Sequence, residues 1–515
     1  MKEKIFLAIM AIMFISCQEE DSREKDKTDF LYYTLEDNSG EPSKSEAFLF
    51  HDGTIHIMAP LHSDLTSLRP FFDTNSQYVY QGEYRQIPGL NELDFSDFAE
   101  PIRYRVESSL GEEKLWTVNV YDLPVLMINT PDGEPILDKE NRKEGCSVQL
   151  VNLDGSIEDL GTAGIRGRGY TSWVQPKKPY NIKLDEKHGI LGMNKSKHWI
   201  LLANCHYDRT QLHNATAFEI ARLTDYPWVQ EGRFVELIMN GEHLGLYYLC
   251  EKIRIENDKI DITEMTREDL SGEALTGGYL IESYVDQGEY TFGGYPFQTD
   301  YFNRTGYEWN NWLAWEIKEP ESGYTIPQEQ FDYIKSAMNQ MESLIYDDNK
   351  LQTGAYRDYL DIETAINWYL VEEVCSNEEA VRSKNIYLYK DRNDKFRLGP
   401  PWDFDAWSFG QTATEWHNCN SWCLYYQQLL KDPVFVQRLK EKWAIYKPLW
   451  EEKIPQFIDA KRAEIYRSAL RNEKMWPDWT DVNLYPDQPY EVCVDWMKAL
   501  YLRQLYWLDA EINSY

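Results

Sequence analysis

The sequence predicts an α+β protein in two parts, a small all-β segment followed by a larger mixed one. Three observations carry this. From about Phe30 to Leu123, short alternating polar and apolar runs are separated by turn clusters, the pattern of strands half-buried against a core. After "DLPVLMINTPDGEP" strand-like runs interleave with helical ones. A hydrophobic fraction of 43% over 515 residues is enough for more than one core.

The chain opens with Lys2 and Lys4 before an apolar run, Ile5 to Ile15, that ends at Ser16 and Cys17. The run is too short for a membrane-spanning helix, which takes about 20 residues, and has the length of a signal-peptide core. "FISC" resembles a bacterial lipobox with Cys17 as the lipidated residue, and "QEED" resembles the surface-export tag of Bacteroidetes-type lipoproteins. The alternative is a secreted protein cleaved nearby. Residues 1–16 are therefore expected to be a lipoprotein signal peptide and 17–28 a charged tether. Everything beyond Cys17 is expected outside the cytoplasm, on the outer-membrane surface, meeting a membrane only through its lipid.

Residues 29–123 read as an immunoglobulin-like β-sandwich. "AFLFHDGTIHIMAP" carries an Asp52-Gly53 hairpin signal, and "IRYRVESSLGEEKLWTVNVY" is two alternating strands about Gly111. No catalytic cluster falls there, so the segment is expected to be a spacer or binding module. In 124–515, strands are expected at Cys146–Asn152, Tyr180–Asp185, Trp199–Leu202, Arg233–Met239, Gly245–Cys250 and Ile386–Lys390. Helices are expected at Asp208–Leu223, Pro327–Tyr346, Ile362–Val374, Pro433–Leu470 and Tyr490–Ser514, with a surface insertion at Gly288–Asn311.

Charge narrows the partners. With 53 basic and 86 acidic side chains the formal charge is −33, which argues against nucleic acid or an anionic membrane surface. An aromatic fraction of 14% leaves polysaccharide binding open as a second class. Eight cysteines become an odd number once Cys17 carries lipid, so at least one thiol is unpaired within the chain. Cys419 and Cys423 in "HNCNSWC" are near enough to bridge; zinc bound with His417 is the alternative, without a second ligand pair.

The chemistry concentrates in three stretches. In "GPPWDFDAWSFG", an extended backbone would turn Asp403 and Asp405 to one face and Trp402 and Phe404 to the other. Two carboxylates that close need a cation or a proton. In "KKPYNIKL", Lys183 shares the strand face opposite Tyr180, Ile182 and Leu184. In "DRTQLHNATAFEIARL", helical projection puts Glu219 within the stripe of Leu212, Thr216, Ile220 and Leu223. A carboxylate on a packed face needs a partner. Lys183 is the candidate, with Arg166, Arg209 or a water-filled groove as alternatives. A strand lysine held by a helix glutamate, with a later Asp-aromatic-Asp, makes up the parts of a protein kinase. "GIRGRG" matches the kinase glycine loop poorly.

The run "RGRGYTSWVQPKKPYNIKLDEKHGILGMNKSKHWILLANCHYDRTQLHNATAFEIARL" resembles the CotH family, the spore-coat-protein-H-like atypical kinases. "FVELIMNGEHLGLYYLCEKIRI", "WEIKEPESGYTIPQEQFDYIK" and "NIYLYKDRNDKFRLGPPWDFDAWSFG" continue the likeness in order, over roughly Leu126 to Phe435. The resemblance implies a divergent kinase-like fold, ATP with Mg²⁺ or Mn²⁺, and a Ser or Thr acceptor on a surface or secreted protein. A β-sandwich before such a domain also resembles Bacteroidetes-type surface lipoproteins. Carried across, Lys183 stands for the strand lysine, Glu219 for the helix glutamate, and Asp403 with Asp405 for the metal-binding aspartates. Asn385 becomes a coordinating amide, and the hinge-like Leu249–Lys252, with Glu251, holds the nucleotide base. Where the family carries the base Asp in an "N-x-D" context, this chain has "N-E-E", with Glu379 nearest and Glu378 beside it. The longer side chain displaces the carboxylate by about 1 Å, which can cost about a hundredfold in rate. A pseudokinase scaffold therefore stands as the rival reading, and a glycan-binding surface lipoprotein as a third.

Overall fold

The structure, a computed structural model, describes residues 27–37, 43–204, 207–285, 295–302, 313–320, 325–378, 384–410, 423–477 and 488–515. Cys17, Glu379, His417, Cys419 and most of the expected insertion lie outside the described residues.

The all-β start forms eight strands, β1 (Phe30–Asp37), β2 (Ser43–His51), β3 (Thr54–Met58), β4 (Arg69–Thr74), β5 (Tyr78–Gln81), β6 (Tyr84–Arg85), β7 (Ile102–Glu107) and β8 (Glu113–Tyr121). Their order is β4-β1-β2-β3-β8-β7-β5-β6. The hairpin between β2 and β3 turns on Asp52 (φ 38°) and Gly53 (φ 76°). Two successive positive φ values define a type I′ turn, whose twist matches the strands it joins. The start of β2 pairs with β1 and its end with β3, so the sheet folds back on itself. Tyr33 of β1 then meets Tyr104 of β7, hydroxyl to hydroxyl at 2.9 Å, and Phe30 packs edge-on against Trp116. These contacts join strands that are not neighbours in the sheet.

The mixed part begins with a closed seven-strand barrel, which sequence periodicity did not anticipate. Its strands are β9 (Val125–Asn129), β10 (Lys143–Val151), β11 (Ile157–Gly167), β12 (Tyr180–His188), β13 (Ser196–Leu202), β14 (Gly232–Met239) and β15 (Glu242–Glu251). Closure depends on β14 pairing parallel with β9. Alternate residues fill the barrel, among them Ile165, Ile182, Leu184, Trp199, Val235 and Leu249. The outward set, including Ile200, Phe234, Leu246 and Tyr248, joins a larger core shared with the helices. Both strand faces are thus apolar on this side, as a strand covered twice requires.

A second sheet follows, ordered β17-β18-β16-β19-β20 and antiparallel throughout. It comprises β16 (Tyr279–Val285), β17 (Tyr295–Phe297), β18 (Leu313–Glu319), β19 (Tyr387–Lys390) and β20 (Phe396–Leu398). The expected helices appear at His213–Arg222, Gln328–Ile345, Ile362–Val374, Pro433–Met475 and Tyr490–Ser514. The longest starts where Asp432 accepts from the Val434 amide with Pro433 in its first turn, a strong start signal. Its far end reaches back to the barrel, where Arg471 meets Glu236 at 2.5 Å and donates to the Val120 carbonyl. None of the described helices is long and apolar enough to cross a membrane. The five described cysteines, Cys146, Cys250, Cys375, Cys423 and Cys493, are buried.

Candidate active site

The second sheet collects charge on one face by register alone. Glu282 on β16 lies opposite Glu316 on β18 and opposite Tyr387 on β19. Lys318, two residues beyond Glu316, shares that face. Its ammonium lies 3.0 Å from Glu282 and 2.9 Å from Glu316. Burial alone would lower the lysine's pKa; the two carboxylates overcome it and raise the pKa above the ordinary lysine value. Asn385, two residues before Tyr387, continues the pairing through its amide to the Ser283 carbonyl. Its side-chain NH₂ donates to Asp403 at 2.7 Å.

Asp403 and Asp405 do not lie on an extended strand. Residues 399–410 form an irregular loop after β20, with Asp403 at φ 71°, Trp407 at 58° and Phe409 at 54°. The same-face argument from strand geometry is therefore corrected, and what aims the aspartates is packing against the Glu219 helix. Trp402 stacks on Phe218 at 5.7 Å between ring centroids, and Phe404 meets the same ring edge-on. The Phe404 amide donates to Asn214, and Gln230 donates to the Pro401 carbonyl at 2.7 Å. Burial, then the neighbouring Asp405 charge, push the Asp403 carboxyl up to about 7, with Arg168 and Lys384 working against them. The two carboxylates oppose each other's charge, as expected, though by a different backbone route.

The other expected pair is not formed. Glu219 is a quarter exposed and accepts from Arg222, one turn along its own helix, at 2.7 Å. Among the described residues no ion pair joins it to Lys183, Arg166 or Arg209. The packed face of that helix is Asn214, Ala217, Phe218, Ala221 and their neighbours, and Glu219 stands at its edge. Lys183 lies on the outside of the barrel, exposed, opposite His198 on β13. Burial of that ring, and then the charges of Arg254, Lys252, Lys183 and Lys259, hold His198 down to about 2. Two of these cations are themselves paired, Arg254 with Glu319 at 3.3 Å and Lys259 with Glu256 at 3.5 Å. Glu251 ends β15, almost fully buried, and its carboxylate accepts from the Glu231 amide at 3.0 Å. Burial raises its pKa.

The segment leading to Glu379 runs beside the aspartate loop. The Glu378 amide donates to the Trp407 carbonyl at 2.9 Å, and the Phe409 amide to the Cys375 carbonyl at 2.7 Å. Asn377 donates to the buried Glu372 at 2.8 Å, a carboxyl that burial pushes well above its ordinary range. The structure therefore brings Asp403, Asp405, Asn385 and the approach to Glu379 together, and leaves Lys183 and Glu219 without the ion pair expected between them.

Sequence reasoning missed Glu282, Glu316 and Lys318. Their signal was charge at alternate positions inside otherwise apolar strands, in "YLIESYV" and "LAWEIKE". It also passed over Arg168, whose guanidinium lies 5.4 Å from the centre of the Trp402 ring. A cavity of about 530 Å³ lies elsewhere, lined by His51, His56, Arg103, His243 and Arg471, and takes no part in this cluster.

A closed barrel followed by a second sheet whose charged face holds Lys318 between two carboxylates defines an α+β protein with a charge-paired site. The family model described as CotH kinase protein matches residues 165–501, about two thirds of the chain, and the protein belongs to that family. The match runs from β11 through the second sheet, the aspartate loop and the long helix, and ends within the last helix. Membership carries a kinase-like function and, with it, ATP and a protein substrate. No curated protein matches the chain.

Proposed function

We propose that the protein is a metal-dependent, extracytoplasmic kinase that moves the γ-phosphoryl of ATP to a Ser or Thr hydroxyl of a surface or secreted protein. One observation carries the reading: Asn385 and Asp403 are in direct contact, with the Asp405 and Glu282 charges acting on the same carboxyl. Among the described residues no group of three or more His, Cys, Asp and Glu side chains is arranged around a metal position. Two carboxylates and an amide nevertheless suit Mg²⁺ or Mn²⁺, which take few protein ligands and complete their shell with water and phosphate. The raised Asp403 pKa fits such a role, since a divalent cation relieves the repulsion that causes it. When bound, that ion would neutralise charge on the phosphates.

The chain's own residues then divide the work. Asp403, Asp405 and Asn385 would hold the metal. Lys318, oriented by Glu282 and Glu316, takes the part of the strand lysine held by a glutamate, in place of Lys183 with Glu219. Lys183 and its cationic neighbours attract the polyphosphate from the barrel side. The backbone near Glu251 would hold the base, and Glu379 would orient or deprotonate the acceptor. The kinase-like architecture, the immunoglobulin-like reading of 29–123, the divisions at 16, 28 and 123, and the lipid anchor at Cys17 belong to this proposal. So do a polysaccharide as a further partner and the absence of nucleic acid.

The test is incubation of the purified protein with labelled ATP, Mn²⁺ or Mg²⁺ and a basic protein acceptor. Asp403→Ala should reduce transfer by about a thousandfold while leaving the thermal midpoint in place. Transfer that survives the substitution sinks the metal-clamp reading. The "N-E-E" text at 377–379 favours a second reading, a pseudokinase scaffold. Nucleotide binding without transfer would establish it.

A further inference from the structure

The glycine-rich segment "GIRGRGY" matched no phosphate loop, and the structure gives its glycines another purpose. A Cβ on Gly167 would fall 2.2 Å from the Trp173 ring, so only glycine lets that indole close over the strand end. Gly169 sits at φ 77°, a conformation costly for other residues. The Gly167 amide is held by the Asp138 carbonyl and the Arg168 amide by the Pro179 carbonyl. The residue between the two glycines is therefore carried on a fixed turn at the end of β11. Arg166, two residues earlier, is engaged by the Glu140 carbonyl. Arg168 instead leaves the barrel and places its guanidinium over Trp402, the residue before Asp403.

Among the described residues Arg168 makes no ion pair, in a chain with a large excess of carboxylates. A ring face does not neutralise a guanidinium. The turn that carries it ends a barrel strand and the ring it covers belongs to the aspartate loop, which sets the guanidinium between the two. A fixed, half-buried and uncompensated guanidinium facing a carboxylate pair is the arrangement that stabilises a phosphoryl group between them.

We propose that Arg168 is a catalytic residue, its guanidinium contacting the non-bridging oxygens of the phosphoryl group in flight from the side opposite Asp403 and Asp405. This rests on the phosphotransfer reading above. The acceptor hydroxyl oxygen bonds to the γ-phosphorus of a nucleoside triphosphate. The bond from that phosphorus to the β–γ bridging oxygen breaks, and its electron pair leaves with the nucleoside diphosphate. The hydroxyl proton passes to water. Arg168 forms no bond; its N–H groups meet charge that grows during transfer, as an arginine supplied in cis does in other phosphotransfer sites.

The experiment compares the intact protein with Arg168→Ala, Arg168→Lys and Asp403→Ala by steady-state transfer with varied ATP, and by calorimetric binding of two probes. The probes are a non-hydrolysable ATP analogue and ADP with aluminium fluoride, both with Mg²⁺. Arg168→Ala should lower kcat by about a thousandfold, change KM for ATP little, and weaken the aluminium fluoride complex far more than the ATP analogue. Arg168→Lys should recover little of the loss, because one ammonium does not reproduce the planar fork. Added guanidinium ion should restore part of the rate in Arg168→Ala and none in Asp403→Ala. Equal weakening of both probes, or a change confined to KM, would make Arg168 a ground-state contact and overturn the proposal. If Asp403→Ala abolishes transfer while Arg168→Ala retains it, the inference fails and the kinase reading stands. If neither substitution matters, both fail.

Discussion

Two charge clusters sit on sheet faces of this protein, and they are balanced differently. On β14 of the barrel, Glu236 is fully buried between Arg471 at 2.5 Å and His243 at 2.6 Å. Burial alone would raise its pKa, yet Arg471 and His243 pull the carboxyl below the usual range. On the second sheet, Glu282 and Glu316 share one lysine, half-buried, while Asp403 and Asp405 crowd a neighbouring loop. In the first cluster every charge is buried; in the second the lysine is about a third exposed, and Asp403 and Asp405 oppose each other's charge. The difference teaches where to look for function. A satisfied buried cluster acts as a fastener between elements, here the long helix and the barrel. An unbalanced one costs stability unless something positive fills it, and such sites are where ligands bind.

Breaking the fastener should produce the larger effect on stability. Arg471→Ala leaves the buried Glu236 with His243, a ring whose protonation burial disfavours. The expected loss is about 3–5 kcal/mol, the cost of stranding a buried charge, read from urea denaturation. The side chain also packs between Phe98 and Tyr121, which adds to it. A loss below about 1 kcal/mol would mean that the junction is held by apolar contacts instead.

The open cluster should respond the other way. Lys318→Met removes the cation from a face where Glu282 keeps some solvent and Glu316 is buried. Stability should move less than in Arg471→Ala, because water can take up part of the stranded charge. Phosphate transfer should fall by about a hundredfold, the scale of losing one preorganised donor at a charged transition state. The measurements are kcat for transfer and the urea midpoint of the same preparation. A transfer rate within about threefold of the unaltered protein would return Lys318 to a structural role.

How much of this was legible in the sequence depended on distance along the chain. The helices were readable from local period: Ile362–Val374 and Tyr490–Ser514 have the expected bounds, and the long helix starts at Pro433 as expected. The barrel was not, because its closure joins β9 to β14 across roughly a hundred residues of chain. No periodicity records such a pairing. Asp403 and Asp405 were found through their chemistry, but by way of a strand that is a loop with three left-handed residues. Glu282 and Lys318 escaped because only the register of β16 against β18 makes them neighbours. The family likeness supplied the order of the parts. It could not say which lysine and glutamate meet.

The smallest expected effect tests that last point most directly. Helical projection measures where Glu219 points, not which cation is nearest, and Arg222 one turn away is nearer by sequence than any strand lysine. A pair of this spacing at a partly exposed position contributes about 0.3–0.5 kcal/mol. Glu219→Gln should therefore move the denaturation midpoint barely at all and leave transfer within about twofold. The same change in a glutamate that orients a phosphate-binding lysine would remove most activity with the fold intact. A collapse of transfer in Glu219→Gln, with Lys318→Met active, would restore the Lys183 pairing and take the role from the second sheet. Near-normal transfer in the first and a large loss in the second would fix the lysine and glutamate of this protein on β18 and β16.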